Sequence, residues 1–398
     1  MTPHTMRIAK HFIGQTLNRT GLWDQLLRRW ARRHQALILT YHRVIEKWDN
    51  TLDYSQPGMV VTAETFDRQL AFFKEHFDVV PLSLFAELPV APPGQPPAQR
   101  AIRLGERLLP PGRMLLRGGD RAGGRCQLSA LRRPLCAITF DDGWRDNYAL
   151  GFPILRKHDI PATIFLTTDF VGTDRVFWHT ELIYLLLHGH ISQLAENESP
   201  FQAYPSSVIY QLMRLARMRP SPRARDVDPF IQIVKETCDE DTIEQLILDI
   251  ATTIGVQRPL FHGRPFFLDW NQVREMTAVG VEIGSHGCSH RIMTRLKAEE
   301  AEQELVQSKA EIEQRIGRQV PHFAFPNGNF NRDLLALAWK AGYRTACLCG
   351  VGGDEGRFGP LALQRVGMAE GVSRGKDAAF SEASLQFWLL RAPRVSTA

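Results

Sequence analysis

The amino-acid sequence predicts an α/β fold in which a mostly parallel sheet closes, or nearly closes, into a barrel covered by helices. Short, continuous apolar runs of strand length recur along the chain, and helical patterns separate most of them. Continuous apolar runs are typical of parallel strands buried on both faces, and their alternation with helices is typical of strand-helix units. The length of 398 residues and the hydrophobic content of 44% are sufficient for a large core.

Seven apolar runs are the predicted strands, at residues 37–41, 77–81, 135–140, 162–167, 281–284, 322–325 and 343–348. The clearest helical patterns lie at 62–76 and 298–316. Thr62 is the predicted N-cap of the first, and the second is rich in Glu, Gln and Lys. We therefore assign 36–380 to one barrel domain and 381–398 to a C-terminal tail.

Two segments interrupt this alternation. Residues 91–133 are rich in Arg, Pro and Gly and have little apolar periodicity, which predicts a loop insert. Residues 170–268 contain helical patterns around 180–187, 206–218 and 229–254 but no strand pattern. This second segment is predicted to be a helical subdomain inserted between units of the barrel.

The N-terminal segment 1–35 combines apolar residues at helical spacing with many arginines, which predicts a basic amphipathic helix. Two interpretations are open: the helix packs on the domain, or it lies on an anionic membrane surface. No run of about 18 apolar residues, the length of a spanning helix, is present. The N-terminus also lacks the continuous apolar segment of a secretory signal. A cytoplasmic location, or one peripheral to the membrane, is therefore expected.

Charge and cysteine content exclude some functional classes. The formal net charge of +5 is small and is concentrated in the first 35 residues and in 100–133, so the chain is not expected to bind nucleic acid. The six cysteines are irregularly spaced. Because a chain of this length needs no disulfides to stabilise its core, we expect reduced thiols.

The predicted strand 135–140 runs directly into two carboxylates, Asp141 and Asp142, and then into Gly143. In a barrel of parallel strands, catalytic side chains converge at the C-terminal ends of the strands. Successive side chains point to different sides, so one aspartate can bind a metal while the other acts as a base. A surface Asp-Asp-Gly turn is the alternative when this motif is considered alone.

A second polar motif follows strand 281–284, where His286 and His290 lie four residues apart. On a helical or tight turn, two such imidazoles lie on one side and can share a cation. Two histidines and one carboxylate with open positions are typical of a catalytic metal site. Cys288, between them, is a further candidate ligand, although a buried thiol is the preferred interpretation.

Three segments resemble motifs one, two and three of the polysaccharide deacetylase (NodB-homology) family: TFDDG at 139–143, HGCSH at 286–290 and FAFPNG at 323–328. The resemblance implies a distorted seven-stranded (β/α) barrel and a divalent metal, with Zn²⁺ as the default. It implies that Asp142, His286 and His290 hold the metal and that Asp141 is the base. It also implies that the backbone N–H of Asn327 stabilises the oxyanion, while Pro326 and Gly328 fix a substrate-binding loop.

The sequence departs from the family pattern in several places. Ala324 occupies the position of the motif-three arginine, Gly287 stands where Ser or Thr is usual, and neither the fourth motif nor a late Leu-x-His is recognisable. These departures resemble the branch that deacetylates poly-N-acetylglucosamine and related exopolysaccharides, in which the general acid comes from an N-terminal strand. The resemblance implies that His42, in TYHRV, is the acid. Arg365 either replaces the missing arginine or is a surface arginine.

Together these features predict a hydrolase that removes N-acetyl groups from amino sugars of a polysaccharide or its lipid-linked precursor. Trp178, at the start of the helical insert, either stacks on a sugar ring or packs within the insert. An esterase on the same barrel and a catalytically idle carbohydrate-binding protein are the alternative functions.

Overall fold

The computed structural model describes residues 12–17, 19–33, 35–48, 55–86, 133–261, 263–349, 359–375, 377 and 379–396. The strands are β1 (Gln35–Tyr41), β2 (Arg43–Ile45), β3 (Val60–Thr62), β4 (Asp78–Val79), β5 (Leu135–Phe140), β6 (Thr163–Leu166), β7 (Glu282–Ser285), β8 (His322–Ala324), β9 (Thr345–Cys349), β10 (Leu363–Gly367) and β11 (Val395–Ser396).

Seven of these strands form a closed parallel barrel. The pairing order is β1-β10-β9-β8-β7-β6-β5, and β5 pairs again with β1 to close the ring. The short strand β4 adds to β5 in parallel, and β11 adds to β1 in antiparallel orientation. The predicted seven-stranded (β/α) barrel is therefore confirmed.

Helices cover the barrel and fill its long connections. They are α1 (Leu22–Arg32), α2 (Ala63–His76), α3 (Ser83–Ala86), α4 (Phe152–His158), α5 (Trp178–His188), α6 (Ser192–Glu196), α7 (Ser206–Ala216), α8 (Ala224–Thr237), α9 (Glu240–Thr253), α10 (Trp270–Ala278), α11 (Ala298–Ile316), α12 (Arg332–Lys340) and α13 (Glu382–Leu389). The Thr62 side chain accepts a hydrogen bond from the backbone N–H of Thr65, as an N-cap of α2 should.

Membership of the barrel differs from the prediction at one strand. The run at 77–81 forms only the two-residue β4, which lies outside the ring, whereas β10 was not predicted as a strand at all. Gln364 and Arg365 interrupt the apolar run in β10, which removes the usual sequence signal of a buried strand. Arg365 therefore lies within β10, the last barrel strand along the chain.

The chain between β6 and β7 contains helices α5 to α9, which have a hydrophobic cluster of their own. Residues such as Leu182, Val208, Phe230 and Leu246 are fully buried in this cluster. The single helix expected at 229–254 is in fact two helices, α8 and α9, because the helical conformation is interrupted at Cys238 and Asp239. Asp239 caps the second helix by accepting a hydrogen bond from the N–H of Thr242.

The N-terminal helix α1 packs on the barrel. Its apolar residues Trp23, Leu27 and Trp30 are buried in the main core, and the Trp23 ring contacts Phe72 of α2. This packing favours the first of the two interpretations, in which the helix packs on the domain, because these three side chains are covered by protein. Within the described part of the chain, each helix is too short or too polar to cross a bilayer.

Two other predicted segments have different outcomes. The predicted loop insert at 91–133 lies outside the described residues, apart from Arg133. The predicted tail at 381–398 contains α13 and β11, and Leu385 and Leu389 of α13 belong to the main core. This tail is therefore part of the packed fold over its described residues.

Candidate active site

The candidate site lies at the C-terminal ends of the barrel strands. Asp141 and Asp142 directly follow β5, His286 directly follows β7, and His42 directly follows β1. Strands β1 and β5 pair in register, Tyr41 opposite Phe140, so the next residues on each strand also lie side by side. The parallel barrel thus brings together residues that are far apart in sequence.

Asp142, His286 and His290 form a cluster whose ligand atoms all lie within 4.8 Å of one another. Oδ1 of Asp142 is 3.5 Å from Nε2 of His286 and 3.3 Å from Nε2 of His290. This oxygen is buried and has no hydrogen-bond partner among the described residues. Such a set of one carboxylate oxygen and two imidazole nitrogens suits a divalent transition metal.

Hydrogen bonds orient two of these three side chains. Nε1 of Trp144 donates to Oδ2 of Asp142 at 2.8 Å, which leaves Oδ1 directed at the two imidazoles. Nδ1 of His286 lies 2.7 Å from the backbone oxygen of Ala324, so this nitrogen carries the proton and Nε2 is left with its lone pair. The ring of His290 stacks on Phe177 with centroids 4.3 Å apart.

The two histidines lie on a tight loop and not on a helix, which settles the choice left open by their spacing. His290 has φ 65° and Gly287 has φ 81°, both in the left-handed region. The carboxylate of Glu304, on α11, accepts hydrogen bonds from the N–H groups of Cys288 and Ser289 and from the Ser289 hydroxyl. A Cβ atom at position 287 would lie 2.9 Å from Oε2 of Glu304, and the φ of 81° makes this position favourable for glycine.

Cys288 is not one of the clustered ligands. Its Sγ lies 3.7 Å from the backbone oxygen of Glu304. Burial and the nearby Glu304 carboxylate raise the pKa of this thiol to about 12. The preferred interpretation was a buried thiol, and the Cys288 side chain is half-buried.

Electrostatic shifts are large in the cluster. Burial raises the pKa of Asp142, but His290, His42 and His286 together outweigh burial and hold that pKa below its usual value. Burial is the first cause for His286 also, and it lowers the pKa of that imidazole to about 4. An ionised Asp142 carboxylate beside a neutral His286 imidazole is the protonation state that binds metals.

Asp141 faces Arg365 instead of the histidines. Nη1 and Nη2 of Arg365 donate to Oδ1 and Oδ2 of Asp141 at 2.6 and 2.7 Å, a bidentate pair between groups 224 residues apart. Both side chains are almost fully buried. Burial raises the pKa of Asp141, and the Arg365 charge outweighs burial and lowers that pKa below its usual value.

Further contacts hold Arg365 in place. It donates to the backbone oxygen of Leu348 and to the Thr139 hydroxyl, and it lies over the Phe165 ring. The surface alternative for Arg365 is therefore wrong.

His42 lies next to this pair, with Nε2 3.9 Å from Oδ2 of Asp141. The backbone oxygen of His42 accepts a hydrogen bond of 2.7 Å from the side chain of Asn147, which fixes the turn after β1. Arg43, the next residue, pairs with Asp146 at 2.9 Å and lies over the Trp144 ring. His42 and Asp141 are therefore neighbours on one side of the mouth of the barrel.

The turn after β8 contains Pro326, Asn327 and Gly328. Pro326 and Gly328 are buried, whereas Asn327 is exposed and has φ 60°. A Cβ atom on Gly328 would lie 2.6 Å from the backbone of Cys349, so glycine is required for this close approach. Burial of Pro326 and Gly328 means that they shape the turn, and only Asn327 of the three lines the adjacent cleft.

A cleft of about 870 Å³ lies between the mouth of the barrel and the helical insert. Its lining includes His290 and Asn327 from the barrel and Trp178, His179 and Lys235 from the insert. Trp178 is half-buried, so its ring both packs on the insert core and faces the cleft. The cleft is large enough for a small ligand or for part of a chain-like one.

Three residues at the site were not singled out in the sequence: Trp144, Glu304 and Lys235. Trp144 directly follows Asp141-Asp142-Gly143, and this position could have identified it as a residue of the site. Glu304 lies in a helix with many glutamates, which concealed it. Lys235, on α8, donates a hydrogen bond of 2.9 Å to Oδ1 of Asn327. The sequence around Lys235 contains no recognisable motif that would have indicated this contact.

Comparisons with known proteins identify a family model, a curated relative and solved structures that resemble this chain. A family model described as Polysaccharide deacetylase matches residues 129–200 and 236–346. The protein YxkH of Bacillus subtilis is 28% identical over 120 residues, which are 30% of this chain and 43% of that protein. The chain thus spans less than half the length of this curated relative.

Solved structures with similar folds include deacetylase PplD of Streptococcus pyogenes, in complex with acetate, and IcaB of Ammonifex degensii. The first has a TM-score of 0.46 and 16% identity, covering 86% of this chain and 96% of that one. The second has a TM-score of 0.45 and 14% identity, covering 84% and 92%. Because both TM-scores are below 0.5, the barrel is assigned from the strand pairing within this chain.

Proposed function

The chain belongs to the polysaccharide deacetylase family, and we propose that it is a metal-dependent hydrolase which removes N-acetyl groups from an amino-sugar polysaccharide. One observation carries the proposal. The Asp142, His286 and His290 cluster lies directly beside a buried Asp141–Arg365 pair and His42. A metal site, a base and an acid are the groups that amide hydrolysis by water requires.

The three clustered residues fit a divalent ion. Oδ1 of Asp142 is a buried oxygen without a hydrogen-bond partner among the described residues, and such an oxygen is costly unless something compensates it. His286 Nδ1 lies against a backbone oxygen, which directs Nε2 toward the cluster. When bound, Zn²⁺ or a similar ion makes water more acidic and polarises the acetamide carbonyl.

Asp141 is proposed as the general base. It takes a proton as water attacks the acetamide carbon, and Arg365 holds its carboxylate in a single orientation through the bidentate pair. The pair also keeps Asp141 ionised, because the positive charge of Arg365 favours the carboxylate. Arg365 thus supplies the positive charge that an arginine at position 324 would provide and that Ala324 cannot.

His42 is proposed as the general acid. The C–N bond breaks as His42 gives its proton to the nitrogen, and acetate and a free amine are the products. Nε2 of His42 lies 3.9 Å from Oδ2 of Asp141, the proposed base. Both groups therefore serve one tetrahedral centre from neighbouring positions.

The substrate is proposed to enter along the cleft beside His290. The backbone N–H of Asn327 is the proposed donor to the oxyanion, and its left-handed conformation, φ 60°, sets the direction of that peptide group. Trp178 is the proposed stacking surface for a sugar ring, since aromatic faces bind the apolar faces of sugars.

A panel of substrates tests this proposal. Acetate release is measured with N-acetylated oligosaccharides, polymers and lipid-linked sugars and with O-acetylated analogues, before and after dialysis against a chelator. We expect acetate and a stoichiometric free amine, loss of activity with the chelator, and recovery on adding Zn²⁺. Release only from O-acetylated sugars would support an esterase, and release from none would support a carbohydrate-binding protein.

A further inference from the structure

Helix α8 is one of the elements of the helical insert that reach the mouth of the barrel. Asp228 on this helix accepts a hydrogen bond of 2.8 Å from Gln56, and Lys235 donates one of 2.9 Å to Asn327. Residues seven apart lie on the same face of a helix, about 10 Å from each other along its axis. This face of α8 therefore contacts two separate loops of the barrel and forms one wall of the cleft.

Lys235 differs from other cations in that cleft. Arg258 is paired with Glu181 and Glu244, and Arg291 is paired with Glu240. Among the described residues, by contrast, no carboxylate lies within ion-pair distance of Lys235. An ammonium group has three N–H donors, and the bond to Asn327 uses one of them.

The charge of Lys235 is also placed close to the metal cluster. Burial lowers the pKa of Lys235, and the carboxylates of Asp142 and Asp228 oppose that shift. Holding a partly buried cation without a counter-ion is unfavourable for the folded protein. Since the bond to Asn327 needs only a neutral donor, the positive charge itself calls for another role.

We propose that Lys235 is a specificity-determining residue, which binds oxygen atoms of the sugar beside the scissile acetamide and disfavours a sugar that carries a protonated amine there. This inference rests on the proposed function. An N-acetylated sugar is neutral and rich in oxygen acceptors, whereas its deacetylated product is an ammonium ion. Lys235 would thus favour acetylated neighbours and repel neighbours that have already been processed.

The consequence is a pattern in the product. Repulsion between two ammonium groups near a protein surface weakens binding by about tenfold when they are several ångströms apart. The enzyme would then act preferentially at sites whose neighbouring sugar is still acetylated. Free amines would be spaced along the polymer instead of forming continuous blocks.

Three synthetic trisaccharides test the proposal: one fully N-acetylated, and two with a single free amine on the sugar at either flank of the central acetamide. Both kcat/KM and the calorimetric Kd are measured for each. For the wild type we expect at least one amine-bearing trisaccharide to be disfavoured by about tenfold. Lys235→Met should reduce that ratio to near one, and Lys235→Arg should preserve it.

Loss of the bond to Asn327 would slow the reaction of all three trisaccharides together, so it cancels from the ratio. Arg175→Met is the matched control, because Arg175 lines the same cleft but lies 3.8 Å from Asp169. An unchanged ratio in Lys235→Met, or an equal change in Arg175→Met, would overturn the proposal. The Kd arm needs no turnover, so absence of hydrolysis would count against the proposed function while the binding ratio still decides the role of Lys235.

Discussion

The two halves of the site are assembled differently. The proposed metal-binding residues Asp142, His286 and His290, here called the metal half, come from the ends of β5 and β7, with β6 between them. The proposed base Asp141 and its neighbours Arg365 and His42, here called the base half, come from β5, β10 and β1. Strand β1 is the first barrel strand along the chain and β10 is the last. Because β1 pairs with both β5 and β10, the base half lies where the first and last strands of the barrel are joined.

This difference shows how a barrel can relocate a catalytic contact. Ala324, in β8, occupies the position of the motif-three arginine, whereas the guanidinium that reaches Asp141 comes from β10. All barrel strands are parallel, so their C-terminal ends surround one mouth and a long side chain from another strand can reach the same carboxylate. The metal half has no such freedom, because its ligands must meet at one point.

The largest expected effect is loss of the metal half. Asp142→Ala, His286→Ala and His290→Ala should each lose bound metal and lower kcat/KM by about 10³-fold or more, since a bound ion contributes several kcal/mol of transition-state stabilisation. Metal content by elemental analysis and acetate release are measured on the same samples. A variant that keeps full activity without metal would show that the cluster is not the catalytic centre.

A substitution in the base half should lower the catalytic rate without removing the bound metal. Asp141→Asn removes the proton acceptor but keeps the shape of the side chain, so we expect full metal content and a loss of about 10²- to 10³-fold in kcat. If this substitution strips the metal, the division of roles between the two aspartates is wrong. Circular dichroism of the variant checks that Arg365, left without its carboxylate partner, does not unfold the protein.

The sequence predicted those parts of the fold that have a local pattern. Strand 135–140 and helix 298–316 have the predicted bounds, because a continuous apolar run and a long helical period are strong signals. Strand β10 was missed because its burial of Gln364 and Arg365 depends on partners in β9 and on Asp141. A buried polar strand cannot be recognised without the distant groups that compensate it.

The same limit applies to the site. Asp142, His286 and His290 follow strands in recognisable motifs, and the structure brings them together. The contact between His42 and Asp141 depends on the register of β1 against β5, and that of Arg365 depends on closure of the barrel. Strand register and barrel closure cannot be predicted from any single segment, so the sequence left the location of Arg365 open.

The proposed acid should have a smaller effect that depends on the leaving group. His42→Ala should lower the rate on an N-acetyl substrate by about 100-fold, because an amine is a poor leaving group without a proton. On an activated acetyl ester, whose leaving group needs no proton, the loss should be much smaller. Equal losses on both substrates would falsify the acid role and indicate that His42 binds substrate or maintains structure.

The smallest expected effect concerns Glu304, which holds the loop of the metal half. Glu304→Ala removes the acceptor for the N–H groups of Cys288 and Ser289 and for the Ser289 hydroxyl, between the two histidine ligands. Because the loop also contains two residues with positive φ, it should relax and separate the imidazoles. We expect zinc affinity, measured by competition with a chelating dye, to fall by about tenfold, the lower end for groups that orient metal ligands.

Glu304→Gln distinguishes the geometry of this contact from its charge. The amide oxygen of glutamine can accept from the two N–H groups while its NH₂ donates to the Ser289 oxygen, so the loop keeps its hydrogen bonds and zinc affinity should stay near the wild-type value. Glu299→Ala is the matched control, because Glu299 is an exposed glutamate in the first turn of the same helix. Equal loss in the Gln and Ala variants would mean that the negative charge near the metal, and not the shape of the loop, is what Glu304 contributes.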